Sequence, residues 1–90
     1  MKFIYEERKL KLINEEKGEE IGYISFTKKE NLLIIISTVV DEKYRGQGFA
    51  SKLIKEILEY AKNNNLKVKP LCSFVVHYLE KHSEYKDILA

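Results

Sequence analysis

Apolar and polar positions alternate with a period of two through the first third of the chain. They switch to the 3.6-residue period of a helix after Gly48. Residues 2–15 hold alternating segments, with Leu10 and Leu12 on one face and Lys9 and Lys11 on the other, the pattern of a half-exposed strand. A turn over residues 15–19 follows, with Gly18 as the residue suited to positive φ. Alternation resumes over residues 20–29 and places Ile24 and Phe26 opposite Ile21 and Tyr23. Lys29, Glu30 and Asn31 make a second tight turn. Residues 32–40 then form a strand that is apolar on both faces, which predicts a central position with something packed on each side. Three strands joined by short links imply an antiparallel meander.

The helical period is the cleanest signal. Phe49, Ala50, Leu53, Ile54, Ile57, Leu58 and Ala61 share one face, while Lys52, Lys55, Glu56, Glu59 and Lys62 cover the other. This predicts a helix over residues 51–62, ended by Asn63, Asn64 and Asn65. Residues 66–72 read as a short strand, parallel to the strand before the helix through a right-handed crossover. Pro70 has no N–H for a ladder, so this strand lies at an edge or parts from its neighbour near its end. Ser73 is placed to cap a last helix over residues 74–82, with Phe74, Val75, Tyr78 and Leu79 on its apolar side. The tail folds Tyr85, Ile88 and Leu89 back onto the body. The predicted order is β-β-β-α-β-α, with room for an extra strand at the start. It is a mixed α/β chain whose sheet is antiparallel first and parallel afterwards.

Composition narrows the partners. A length of 90 residues predicts a single domain, residues 1–90, near the lower limit for a core that folds without staples. A net charge of +2, with lysines and glutamates interleaved, argues against nucleic acid. The longest apolar run, Leu32 to Ile36, is far too short for a bilayer, and no secretory signal opens the chain. Cys72 is the lone cysteine, which excludes an internal disulfide and fits a reducing, cytoplasmic compartment. No metal-ligand spacing stands out.

The loop Arg45-Gly46-Gln47-Gly48-Phe49-Ala50 lies between the apolar strand and the helix. It lacks the Gly-Lys-Ser/Thr of a P-loop and the third glycine of a dinucleotide fingerprint. Glycines at a helix N-terminus leave backbone N–H groups open to an anion such as phosphate. The competing reading is a strand-to-helix turn that uses glycine for geometry alone.

Arg45, Gly48 and Ala50 match the Gln/Arg-x-x-Gly-x-Gly/Ala signature of the GNAT N-acetyltransferase superfamily, and Gly46 matches a common additional glycine. Residues 39–54 resemble that family as a whole, and so does the order of elements. Residues 70–74 and 80–85 further resemble a minimal single-domain branch, in which Pro-x-Cys closes the strand after the helix. The resemblance implies a GNAT fold with a centrally splayed sheet and acetyl-CoA as co-substrate, acetyl passing directly to an amine on a small molecule or peptide. It implies that Arg45, Gly46, Gln47, Gly48, Phe49, Ala50 and Ser51 cradle the CoA pyrophosphate. Val39 and Val40 would pair with the pantetheine arm. Lys52 and Lys55 are candidate partners for the 3′-phosphate, although the bland reading of a solvated helix surface is favoured.

The catalytic candidates are Cys72 and Tyr78. Cys72 is placed as a nucleophile, or as the acid that protonates CoA thiolate, with a small buried apolar residue as the competing reading. Tyr78 falls one residue out of register with the tyrosine of the family's last helix, where Leu79 stands. His77 has a suitable basicity without a defined place, and His82 reads as a cap of the last helix. The branch typically ends its central strand His-Thr-x-Val; Ser37-Thr38-Val39-Val40 stands here, so a histidine base is missing. The larger family members wall the acceptor site with helices and strands that 90 residues do not accommodate. That predicts an open acceptor site, or one completed by a second subunit in a homodimer. A CoA-binding module without efficient catalysis is the alternative reading.

Overall fold

Strands β1 (Lys2–Tyr5), β2 (Lys9–Asn14), β3 (Glu19–Lys29) and β4 (Leu32–Val40) come first in the chain. Helix α1 (Phe49–Asn63), strand β5 (Lys67–Pro70) and helix α2 (Ser73–Lys81) follow. The computed structural model describes all 90 residues. The sheet order is β1-β2-β3-β4-β5, antiparallel up to β4 and parallel between β4 and β5. The alternating stretch at the start is two strands, because the Glu6 N–H donates to the Lys9 carbonyl at 2.8 Å and turns the chain back. Gly18 takes φ 64°, and Glu30, in the next turn, takes φ 56°.

Two bulges set which side chains meet. Between Leu12 and Ile13 the register with β3 shifts, leaving Ile21 as the extra residue, so Ile21 is buried in the same core as Ile24 and Phe26. Strict alternation placed it on the opposite face; the extra residue reverses the parity. Ile36 is the extra residue of β4, since Ser25 pairs with Ser37 while Phe26 pairs with Ile35. The core-facing positions of β4 are therefore Leu33 and Ile35 before the bulge, and Thr38 and Val40 after it.

The core lies between one sheet face and the two helices. Leu53, Ile54, Ile57 and Leu58 of α1 are at most 2% exposed, and each contributes about 2 kcal/mol by leaving water. Val75 of α2 and Tyr85 of the tail join the same cluster. The opposite sheet face is open, with Ile36 45% and Val39 38% exposed. The expectation of layers on both sides of β4 is thus corrected: the bulge turns Ile36 out, and no helix covers that face.

Asn64 and Asn65 end α1 as expected, Asn64 donating its side-chain N–H to the Tyr60 carbonyl at 2.8 Å and Asn65 taking φ 55°. The cap of α2 is Cys72 rather than Ser73. Cys72 is extended and its carbonyl accepts from the N–H groups of Val75 and Val76, which leaves Ser73 inside the helix. The tail forms a 3-10 turn and bridges the outer edge of β5, the Ala90 N–H donating to the Val68 carbonyl at 2.9 Å.

Gly22 is fixed by packing. A Cβ there would lie 2.5 Å from the Val39 carbonyl oxygen and 3.1 Å from the Val40 Cα. Gly22→Ala should therefore force β3 and β4 apart where β4 ends and destabilise the protein by about 1–3 kcal/mol. Chemical denaturation measures this, and an unchanged midpoint would show that the strands separate freely.

Candidate functional site

β4 and β5 pair only from Leu32 with Lys67 to Ile35 with Pro70. The last backbone bond between the two segments runs from the Leu71 N–H to the Ile35 carbonyl at 2.9 Å. Pro70 supplies no N–H, and Cys72 already caps α2, so the chain leaves the sheet there. β4 continues alone for five residues, Ile36–Val40, with β3 on one side and no strand on the other. Backbone polar groups along such an edge need partners.

The open edge leads straight to the N-terminus of α1. Gly46 and Gly48 take φ 77° and 81°, a left-handed conformation that costs other residues about 1 kcal/mol or more. Gly48 is the cap of α1 and brings no side chain to its amides. The first turn carries no acidic residue, so the N–H groups of Phe49, Ala50 and Ser51 remain free for an outside anion. A Cβ on Gly46 or Gly48 would meet nothing within 4 Å, so conformation, not crowding, requires glycine in the free protein.

The loop is tied to the sheet. The Tyr44 hydroxyl donates to Glu19 at 3.2 Å and accepts from the Asn14 amide at 3.1 Å, and Lys43 pairs with Glu19. The Tyr44 ring meets Phe49 edge-on, centroids 5.9 Å apart. Arg45 folds back, its Nε donating to the Val40 carbonyl at 3.1 Å.

A cavity of about 480 Å³ results, and most of the expected binding residues line it: Val39, Val40, Arg45, Gly46, Gly48, Phe49, Ala50 and Ser51. Gln47 does not; it lies on the far side of the loop, its amide 3.4 Å from the Lys43 carbonyl. Thr38, Tyr44 and Phe74 complete the wall. Sequence periodicity passed over Thr38 because the bulge at Ile36 is what turns it toward the cavity.

The catalytic candidates fall in different places. Cys72 is buried behind Thr38, its thiol donating to the Thr38 hydroxyl at 3.5 Å. Burial pushes the thiol up. Once ionised, the sulfur accepts from the Thr38 hydroxyl and from the N–H groups of Val75 and Phe74, and these bonds outweigh burial and bring the thiol below its usual range. Tyr78 lies outside the cavity, in a neighbouring groove between α1 and α2, stacked on His82 at 3.8 Å. Burial, then the charges of Glu84 and Glu59, raise its hydroxyl above the ordinary range. His82 caps α2, its Nδ1 2.7 Å from the Tyr78 carbonyl, and His77 is exposed beside Glu80. Ser37 bonds Ser25 at 2.6 Å. No histidine, aspartate or glutamate lines the cavity. No group of three or more His, Cys, Asp or Glu side chains is gathered for a metal, and no helix is long and apolar enough to cross a membrane.

The family model described as GCN5-related N-acetyl-transferase matches residues 9–88. Among solved structures, a GCN5-like protein from Staphylococcus aureus is 32% identical, with 99% of this chain and 87% of that one aligned at a TM-score of 0.76. A GNAT family N-acetyltransferase from Escherichia coli, in complex with CoA, is 31% identical over 70% of this chain and 38% of its own, TM-score 0.61. A GNAT family acetyltransferase from S. aureus shares the fold at 22% identity over 71% and 56% of the two chains, TM-score 0.57. No curated protein matches the chain. A mixed sheet that opens between β4 and β5, a glycine cradle at the following helix and a family match across nearly the whole length agree with one another. This chain belongs to the GCN5-related N-acetyltransferase (GNAT) family.

Proposed function

We propose that the 90 residues form one N-acetyltransferase domain that passes acetyl from acetyl-CoA directly to the amine of a small-molecule or peptide acceptor. One observation carries this reading: the unpaired edge of β4 beyond Ile35 opens directly onto the left-handed glycine cradle of α1. An extended amide chain and a pyrophosphate are the two chemical groups that such an edge and such a cradle accept side by side, and CoA carries both. The CoA-bound E. coli relative supports the assignment.

In the reaction the amine nitrogen attacks the thioester carbonyl carbon, a backbone N–H near Val39 or Val40 stabilising the oxyanion. The C–N bond forms, the C–S bond breaks, and the thiolate needs a proton. Cys72 supplies it through Thr38, which lines the cavity and whose hydroxyl touches the Cys72 sulfur. A thiol lowered below its usual range is a stronger acid than an ordinary one and regains its proton from solvent. Tyr78 is the second candidate acid; its raised hydroxyl stays protonated at neutral pH. No side chain of the cavity is a base, so the amine enters neutral or loses its proton to water. That lack of a base favours the second reading, a CoA-binding module with little turnover.

Three outcomes follow. CoA at one hundred times its dissociation constant should stabilise the wild type by about 2.7 kcal/mol, a melting shift of roughly 15 °C. Gly48→Asp should abolish the shift by placing negative charge at the phosphate; a retained shift would move the site elsewhere. With acetyl-CoA and a panel of amines, thiol release should exceed hydrolysis, and Cys72→Ala should lower kcat about a hundredfold with KM for acetyl-CoA unchanged. CoA binding without amine-dependent release would leave the binding-module reading standing. Alkylation of Cys72 should reach half its maximal rate below the pH of about 8.5 typical of a free thiol, and Thr38→Val should move that midpoint upward.

A further inference from the structure

The helices cover one sheet face, and β4 is poorly suited to leaving the other in water. Leu33, Ile35, Thr38 and Val40 point to the core, which puts Leu32, Ile34, Ile36, Ser37 and Val39 outside. An antiparallel sheet with one solvated face ordinarily carries polar residues there. Four of these five outward positions are apolar, and Tyr23 of β3 extends the patch beside Val39. Ser37, the polar exception, is tied to Ser25 at 2.6 Å.

Charges along β3, β4 and β5 are split between the two ends of this face. At one end Lys29 and Lys67 flank Leu32, and Lys69 stands beside Ile34. Neither Lys29 nor Lys69 has a carboxylate within 4 Å. Lys67 donates to the Asp87 carbonyl at 2.6 Å; Glu30 in the turn and Asp87 in the tail are the acids of that end. At the other end Glu20 and Asp41 line a hollow with Tyr23 and Val39. Glu19 of that hollow pairs with Lys43, and Asp41 accepts from the Lys43 N–H at 3.1 Å. Between the ends, Lys9 lies over the Tyr23 ring at 4.4 Å. Lys11 is held by Glu6 at 3.0 Å and by Glu20 at 3.7 Å.

We propose that two copies of this chain pair through the open face, sheet on sheet, about a two-fold axis crossing the strands near Ser25 and Ser37. That ladder pair lies midway along β3 between Glu20 and Lys29. The axis therefore sets Glu20 of each copy opposite Lys29 of its partner, and packs Ile34 and Ile36 against the partner's patch. Opposite charges at the ends fix the orientation, and apolar burial at the centre supplies the affinity. The face is large enough. Strands about 4.8 Å apart and up to 11 residues long give it about 20 by 35 Å, close to the roughly 800 Å² per partner of a standard interface. α1 and α2 lie behind the sheet, so the pair leaves the glycine cradle uncovered. Val39 lines both the cavity and the hollow, so the partner covers its outer side and walls the acceptor approach. That consequence rests on the CoA reading; the pairing does not.

Sedimentation equilibrium of the full chain at low salt, from micromolar to submillimolar concentration, tests the pairing. The wild type should approach twice the mass of one chain as concentration rises. Ile36→Lys sets like charges at the centre and should weaken the dimer at least about tenfold. Glu20→Lys and Lys29→Glu should each weaken it about fivefold, and the double variant should return to within about twofold of the wild type. A wild type that stays monomeric throughout would overturn the proposal. So would a dimer that neither Ile36→Lys nor the single reversals weaken, since it would use another face. In a monomer, an amine KM raised by Lys29→Glu would assign the face to the acceptor instead. Thermal melting shows that each variant folds, as the exposure of Ile36, Glu20 and Lys29 leads one to expect. Should Ile36→Lys fail to fold, the charge-reversal cycle decides alone.

Discussion

A parallel strand pair that stops halfway shapes everything downstream in this protein. β4 keeps β3 along its whole length but loses β5 after Ile35. In a small protein an unpaired central edge is a liability, because open N–H and C=O groups invite other strands. Here it is confined by what surrounds it. Pro70 and the Cys72 cap turn the chain away, α2 closes one side, and the loop before α1 closes the end. The opening therefore admits an extended ligand more readily than another strand.

The loop beyond it must keep two left-handed glycines and a set of free amides in place without a ligand. Tyr44 does much of this. It joins Glu19 and Asn14 on the sheet to Phe49 at the start of α1, so strand and helix hold the loop from both ends. Arg45, the first residue of the family signature, spends its Nε on the Val40 carbonyl and thus serves the shape of the cavity. Gly22 acts on the same corner from below, by letting β3 approach the end of β4.

The reacting end is built more sparingly than the binding end. Cys72 reaches the cavity only through Thr38, and Tyr78 lines a separate groove. In the proposed reaction that separation would leave much of the rate to positioning acetyl-CoA beside an amine, and the proton transfers to a hydroxyl, a thiol and water.

Much of this was legible in the chain. The amphipathic face of α1 and the glycine spacing after an apolar strand are local features, and local periodicity and backbone conformation fix them whatever the rest of the fold does. Pro70 likewise announced the parting of β5, because a missing N–H is a covalent fact. The bulges at Ile21 and Ile36 were not legible, since an extra residue is defined only against a partner strand. They decided that Ile21 enters the core, that Ile36 turns onto the open sheet face, and that Thr38 meets Cys72.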